Sequence, residues 1–215
     1  LEALLEYNLA GFVLAPTHRG ESVEHVRKAL EAGRPIVSIG PVPGLETHVV
    51  DFEDRAGSKQ ATEYLIRQGH RRIVFLAGIM TSPSAKERTL GFMETLLENQ
   101  VPFDDSMIAR TDGGSETGYQ VALEVLKNRK PRPTALLCFN DVVAMGAYRA
   151  AHELGLHIPT DISIVGFDNI RMSAVLGPPL TTVSIFPDRI GREAAKILMD
   201  VLQGNGRDKV RRVML

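Results

Sequence analysis

Hydrogen-bonding side chains follow two apolar runs in the second half of the sequence. Asn140 and Asp141 come directly after residues 135–139, and Asp168 comes shortly after residues 162–165. Amide and carboxylate groups pair with the hydroxyl and N–H groups of polar ligands, so these residues could belong to a small-molecule site. Each also has a simpler interpretation, because Asn or Asp before a helix commonly caps it and an Asp-Asn pair commonly forms a turn.

The segments around these residues have the pattern of a strand-helix-strand unit. Residues 135–139 and 162–165 are short, apolar and bounded by turn residues, which is typical of buried strands. Between them apolar residues recur at helical spacing, and Gly155 follows as a helix stop. In a parallel βαβ unit, ligands bind beyond the carboxyl ends of the strands. The sequence therefore predicts an α/β fold that brings the three polar residues to one edge of a sheet.

Arg88 is the cation whose position is most suggestive of binding. The spacing Ser84-x-x-Glu87 is that of a capping box, which predicts that a helix starts at Ser84. Arg88 then falls in the first helical turn, close to the end of the predicted strand 73–77. Its guanidinium can form a bidentate pair with a carboxylate or with adjacent sugar hydroxyls. The alternative is a surface arginine paired with Glu87 or Glu94.

Composition excludes several classes of function. The chain has 215 residues, 44% of them hydrophobic, and a net charge of −1 from 25 Lys and Arg and 26 Asp and Glu. This balance gives no basic excess for binding nucleic acid. The single cysteine, Cys138, lies in an apolar run and is expected to be a buried thiol from a reducing compartment. No apolar run approaches about 18 residues, so we expect no membrane segment.

The sequence shows no recognisable catalytic or cofactor pattern. Asp112, Asp168 and Arg88 could act as acid and base groups, but no nucleophile-base pair or metal-ligand spacing accompanies them. Gly113 and Gly114 precede a predicted helix, yet their spacing fits neither a dinucleotide-binding loop nor a phosphate-binding loop with its lysine. We therefore expect no enzymatic activity, no cofactor and no metal.

Three motifs in the second half of the chain resemble the LacI/GalR family of bacterial transcription regulators, over its effector-binding core. They are Asn140-Asp141-x-x-Ala144-x-Gly146, then Gly155-x-x-Ile158-Pro159-x-Asp161-Ile162-Ser163-Ile164-Val165-Gly166-Phe167-Asp168-Asn169, and Pro179-Leu180-Thr181-Thr182-Val183. The turn Gly69-His70-Arg71-Arg72 and the run Arg88-Thr-Leu-Gly91-Phe92 are also similar to family motifs.

The resemblance implies a periplasmic-binding-protein-like fold of type I, with two Rossmann-like parallel-sheet lobes and a ligand cleft between them. The expected first lobe comprises residues 1–52 and 186–206, and the second comprises 53–185 and 207–215. The resemblance also implies that the first lobe is incomplete here and that the helix-turn-helix DNA-binding head is absent from this chain. An operator would then be bound only through that missing head.

For function, the resemblance implies a cytoplasmic, homodimeric repressor whose sensing domain binds a small metabolite, a sugar or a purine-like compound. The expected ligand-binding residues are Ser84, Arg88, Asn140 and Asp168. Lobe closure around the ligand would be transmitted to the DNA-binding head.

Three positions depart from the pattern common in the family. Gly40 stands where a charged residue is common, Gly113 where an aromatic residue often stacks on the ligand, and Ile185 where glutamine is frequent. The site is therefore expected to be less polar and less aromatic than in typical sugar binders, and the effector's identity stays open. A periplasmic sugar-binding protein of an ABC transporter is the alternative, because it would share the fold and the cleft.

Overall fold

The computed structural model describes residues 7, 9–15, 23–205 and 209–215. Two compact units are formed, one by residues 1–53 with 186–215 and the other by residues 54–185. Each unit is built on its own parallel sheet, so the predicted α/β class with two parallel-sheet lobes is confirmed.

The first unit contains a four-stranded parallel sheet in the order β1-β2-β3-β9. Its strands are β1 (Phe12–Leu14), β2 (Ile36–Ile39), β3 (His48–Asp51) and β9 (Arg212–Met214). Its helices are α1 (Glu24–Glu31) and α6 (Pro187–Leu202). Helix α6 packs closely on the sheet at Gly11, where an added Cβ would lie 2.8 Å from the Leu198 side chain.

Strand β9 lies in the sheet of the first unit, whereas residues 207–215 were expected in the second lobe. Val213 pairs with Val50 of β3, and the Leu215 N–H donates to the Asp51 carbonyl at 3.0 Å. The Arg211 N–H also donates to the His48 imidazole at 3.2 Å. The prediction for this segment was wrong because an apolar alternation indicates a strand but carries no information on its partner.

The second unit contains a five-stranded parallel sheet in the order β5-β4-β6-β7-β8. Its strands are β4 (Ile73–Ala77), β5 (Ile108–Arg110), β6 (Ala135–Cys138), β7 (Ser163–Asp168) and β8 (Thr181–Ser184). Its helices are α2 (Asp54–Arg67), α3 (Pro83–Glu98), α4 (Ser115–Asn128) and α5 (Asp141–Glu153), with short 3-10 helices at Asp105–Met107 and Arg171–Val175.

The predicted strand-helix-strand unit is confirmed by β6, α5 and β7. Helix α5 ends where the sequence indicates, because Gly155 has φ +66° and the Leu156 N–H donates back to the Ala151 carbonyl at 2.9 Å. This is a left-handed glycine closure of the last helical turn. The register then pairs Ala135 with Ser163, which aligns the two strands along their length.

The centre of the five-stranded sheet is buried on both faces. Alternate β4 residues belong to different cores: Val74 and Leu76 pack with α4 and α5, while Ile73 and Phe75 pack with α2 and α3. A strand covered on both faces is expected to be apolar at every position, as the fully buried β4 is. Two helix layers therefore fix the sheet from both sides and set the positions of its carboxyl-end loops.

Candidate functional site

Arg88 lies at the centre of a buried polar cluster at the carboxyl ends of β6 and β7. Only 4% of the residue is exposed. Its Nε donates to Asp54 Oδ1 at 2.5 Å, one Nη donates to the Phe139 carbonyl, and the other lies 3.4 Å from Asp168 Oδ1. The structure thus brings two of the predicted site residues, Arg88 and Asp168, into contact.

Two aromatic rings hold the guanidinium group of Arg88. Its central carbon lies 3.6 Å from the ring centroid of Phe167 and 4.7 Å from that of Phe139. These distances are those of cation-π contacts, which favour a fixed orientation of the guanidinium. The alternative of a surface arginine paired with Glu87 or Glu94 is wrong, because Arg88 is buried and both glutamates pair with Arg55.

Asp168 ends β7 in an unusual backbone conformation. Its φ is +104° and that of Asn169 is +56°, a region that residues with a side chain enter rarely. Burial raises the pKa of the Asp168 carboxyl to about 6, with the negative charges of Asp141 and Asp54 adding to the rise and Arg88 opposing it. About 27% of the side chain remains exposed. The carboxyl is therefore a partly accessible acceptor whose ionised form is costly to the fold.

Asp141 fixes the turn that carries Asp168. It is fully buried, and its carboxylate accepts a hydrogen bond from Thr182 Oγ1 at 2.6 Å and another from the Ile170 N–H at 2.8 Å. An added Cβ at Gly166 would lie 2.2 Å from the same carboxylate, so only glycine fits there. The sequence indicates Asp141 as a polar residue at the strand end, but its bonds across the loop were not predicted.

Asn140 caps α5, as the simpler interpretation suggested. The Val143 N–H donates to its side-chain oxygen at 2.7 Å, while its amide nitrogen donates to the Gly113 carbonyl at 3.1 Å. The second bond ties the loop after β5 to the end of β6. The residue as a whole is half-buried.

Ser84 does not start helix α3, because the N-cap is Ser82 and Pro83 occupies the first turn. Proline is favoured at that position, since it lacks the N–H that would otherwise be unsatisfied. The capping-box prediction was therefore wrong by two residues. Ser84 and Arg88 still share one face of α3, being four residues apart, and Ser84 is half-buried.

Two partners of the predicted site residues, Asp54 and Phe139, were not predicted from the sequence. Asp54, at the start of α2, is buried and is the short-range counter-ion of Arg88. Phe139, immediately before Asn140, supplies both a ring face and its carbonyl to Arg88. The position of Phe139 at a strand end was a usable signal. Nothing local in the sequence links Asp54 to an arginine 34 residues away.

A groove of about 350 Å³ lies at the opposite end of the sheet and is lined by none of the predicted ligand-binding residues. Arg72, Met107, Arg129 and Pro133 contribute to its lining.

Within residues 7, 9–15, 23–205 and 209–215, no group of three His, Cys, Asp or Glu side chains could hold a metal ion. In that same part of the chain no helix is long and apolar enough to cross a bilayer.

Comparison with known families gives a match to the periplasmic binding protein-like domain over residues 62–215. Among curated relatives, the HTH-type transcriptional repressor PurR of Photorhabdus laumondii is 40% identical over 144 residues, which are 67% of this chain and 42% of the relative. The chain spans about half the length of the curated relatives it matches.

Two similar solved structures are regulators with a bound sugar. The transcriptional regulator CelR in complex with cellobiose has a TM-score of 0.89 and 29% identity, covering 100% of this chain and 65% of that one. A LacI-family regulator from Enterococcus faecium with bound ribose has a TM-score of 0.86 and 27% identity, covering 99% of this chain and 78% of that one. The chain belongs to the periplasmic binding protein-like domain family, and its relatives are LacI-family transcriptional regulators.

Proposed function

We propose that this chain is the effector-sensing domain of a ligand-responsive bacterial transcriptional repressor. It binds a small metabolite, a sugar or a purine-like compound. Ligand binding then changes the affinity of a DNA-binding head of the full protein for its operator. The repressor relatives support this assignment and give no support to the transporter alternative. The observation that carries it is the contact between Arg88 and Asp168 at the carboxyl ends of parallel strands, where ligands bind in such folds.

Asp168 supplies the principal ligand contact in this proposal. Its ionised carboxylate only accepts hydrogen bonds, so it pairs with hydroxyl or N–H groups of the ligand. Its 3.4 Å contact with Arg88 is long for a charge-assisted hydrogen bond, and a ligand group can replace it at little cost. Asn140 and Ser84 add polar groups from neighbouring elements, and the half-buried Phe139 offers an apolar ring face.

The proposed activity is a conformational switch with no bond-making step. A ligand that binds one conformation more tightly than another shifts the population toward it, by no more than its difference in affinity. The function therefore requires neither a nucleophile nor a cofactor. Assembly into a homodimer, operator binding through a DNA-binding head and a cytoplasmic location complete the proposal.

A thermal-shift screen tests the proposed site. We expect ribose, cellobiose or a purine nucleoside to raise the Tm of the wild-type chain, and Asp168→Asn to abolish that rise while the chain stays folded. Arg149→Ala is the matched control, because it removes an exposed charge on α5. A ligand-dependent rise that survives in Asp168→Asn would refute the assignment of the site.

A further inference from the structure

Asp54 neutralises the arginine at the centre of the candidate site. Its carboxylate lies 2.5 Å from Arg88 Nε, and both side chains are almost fully buried. A buried charge pair of this kind is kept together strongly, because breaking it leaves an unpaired charge inside the protein. The rings of Phe139 and Phe167 also restrain the guanidinium. Arg88 is thus held by Asp54 and is not free to turn its full charge toward a ligand.

The partly exposed group of the cluster is Asp168. It shares Arg88 with Asp54, so one guanidinium faces two carboxylates. When both are ionised, the three groups together carry one negative charge. Buried Asp141, which is bonded to the turn after Asp168, adds further negative charge behind it. A ligand group at Asp168 therefore encounters a hydrogen-bond acceptor with further negative charge from Asp54 and Asp141 close to it.

We propose that Asp54 is a specificity-determining residue that makes the site reject anionic ligands, such as phosphate esters, in favour of hydrogen-bond-donating ligands without a negative charge. The inference rests on the proposed function, since it concerns the ligand of the same site. A guanidinium without a counter-ion attracts phosphate and carboxylate groups. Here the buried carboxylate cancels that attraction, and like-charge repulsion from Asp168 opposes any anion. Free sugars and nucleosides carry no negative charge and have hydroxyl or N–H donors, so they can still bind Asp168.

Matched pairs of probes test this inference on the whole chain. Ribose is compared with its phosphate ester, and adenosine with adenosine monophosphate, by calorimetry on the wild type, Asp54→Asn and Asp54→Glu. We expect the neutral member of a pair to bind the wild type and its ester to bind far more weakly. Asp54→Asn should narrow the ratio of the two affinities by about tenfold or more, because one negative charge is removed next to Arg88. Asp54→Glu should keep the wild-type ratio.

One further readout separates this role from a merely structural one. Asp54→Asn should lower the pKa of Asp168, because the negative charge of Asp54 raises it. The comparison of neutral and phosphorylated probes on the wild type needs no variant, so it can overturn the inference even if Asp54→Asn does not fold.

The outcomes are distinguishable. Phosphate esters that bind the wild type as tightly as the neutral probes would overturn the inference and leave the proposed function intact. Discrimination that is unchanged in a folded Asp54→Asn would have its origin in the shape of the site and would also overturn the inference. If neither sugars nor nucleosides bind the wild type, the proposed function fails together with the inference.

Discussion

The replacement Asp168→Asn is expected to stabilise the protein while abolishing its response to ligand. Asparagine keeps the shape of the side chain and tolerates positive φ better than most residues, so the strained turn is preserved. The change removes an acidic group whose pKa burial raises from 3.8 to about 6. At about 1.4 kcal/mol for each tenfold change, that rise corresponds to about 3 kcal/mol of destabilisation when the carboxyl is ionised.

The stability advantage of Asp168→Asn over the wild type is expected to increase with pH. Because the folded state has the higher pKa, the favourable contribution of protonated Asp168 is complete below pH 3.8 and is lost as the pH rises through about 6. Asp168→Asn has no proton to lose, so its advantage over the wild type should be near zero at about pH 4 and largest above about pH 7. The gain at neutral pH should be about 2 to 3 kcal/mol, since part of the side chain is solvated.

Denaturant unfolding followed by circular dichroism measures this difference at several pH values. Asp105→Asn is the control, because it removes an exposed carboxylate from the 3-10 helix of the same unit. A variant that is less stable than the wild type at neutral pH would refute the reasoning. So would an advantage that does not change with pH, because the proposed cost belongs only to the ionised carboxylate.

Two other predictions concern packing and protonation in the second unit. Gly146→Ala should lower the free energy of unfolding by about 1 to 3 kcal/mol or more, because the new Cβ would lie 2.2 Å from the Ser115 carbonyl of α4. Denaturant unfolding measures this loss. Gly191→Ala is the control, since its new Cβ would lie in open space on α6 and should not destabilise the protein. Burial lowers the pKa of His70, so its contribution to stability is present above pH 6.5 and is lost as the pH falls through the folded pKa. His70→Gln should flatten the fall in Tm below pH 6.5, and an unchanged slope would contradict this assignment.

The strand-helix-strand core was predictable because its signals are local. Residues 135–138 are apolar and fully buried in β6, Asn140 is an ordinary N-cap residue, and Gly155 takes the left-handed conformation that glycine favours. The same topology explains why Asp168 could be assigned to a sheet edge. Parallel strands connected by helices must bring their carboxyl ends to one side.

The contacts of the site could not be predicted because they join distant segments. Asp54 reaches Arg88 across 34 residues, and Asp168 reaches it across 80. Both contacts depend on how α2 and α3 pack on the sheet. The two helices also approach each other closely, since an added Cβ at Gly91 of α3 would lie 2.4 Å from the Arg55 carbonyl of α2. A glycine within a helical pattern signals such an approach without naming its partner.

The surroundings of Asp168 explain how the fold retains a carboxylate whose ionised form is destabilising. A largely desolvated carboxylate at positive φ is expensive, and such residues persist only where the surroundings leave no alternative. Asp141 provides that constraint: its bonds to Ile170 and Thr182 fix the turn from both sides, and Gly166 allows the close approach. A ligand that donates hydrogen bonds to Asp168 would offset part of the cost of its ionised form. The ligand makes these hydrogen bonds only in a conformation that presents the Asp168 carboxylate to it. The free-energy cost of ionised Asp168 in the free protein is therefore partly relieved in the bound conformation, which the ligand favours.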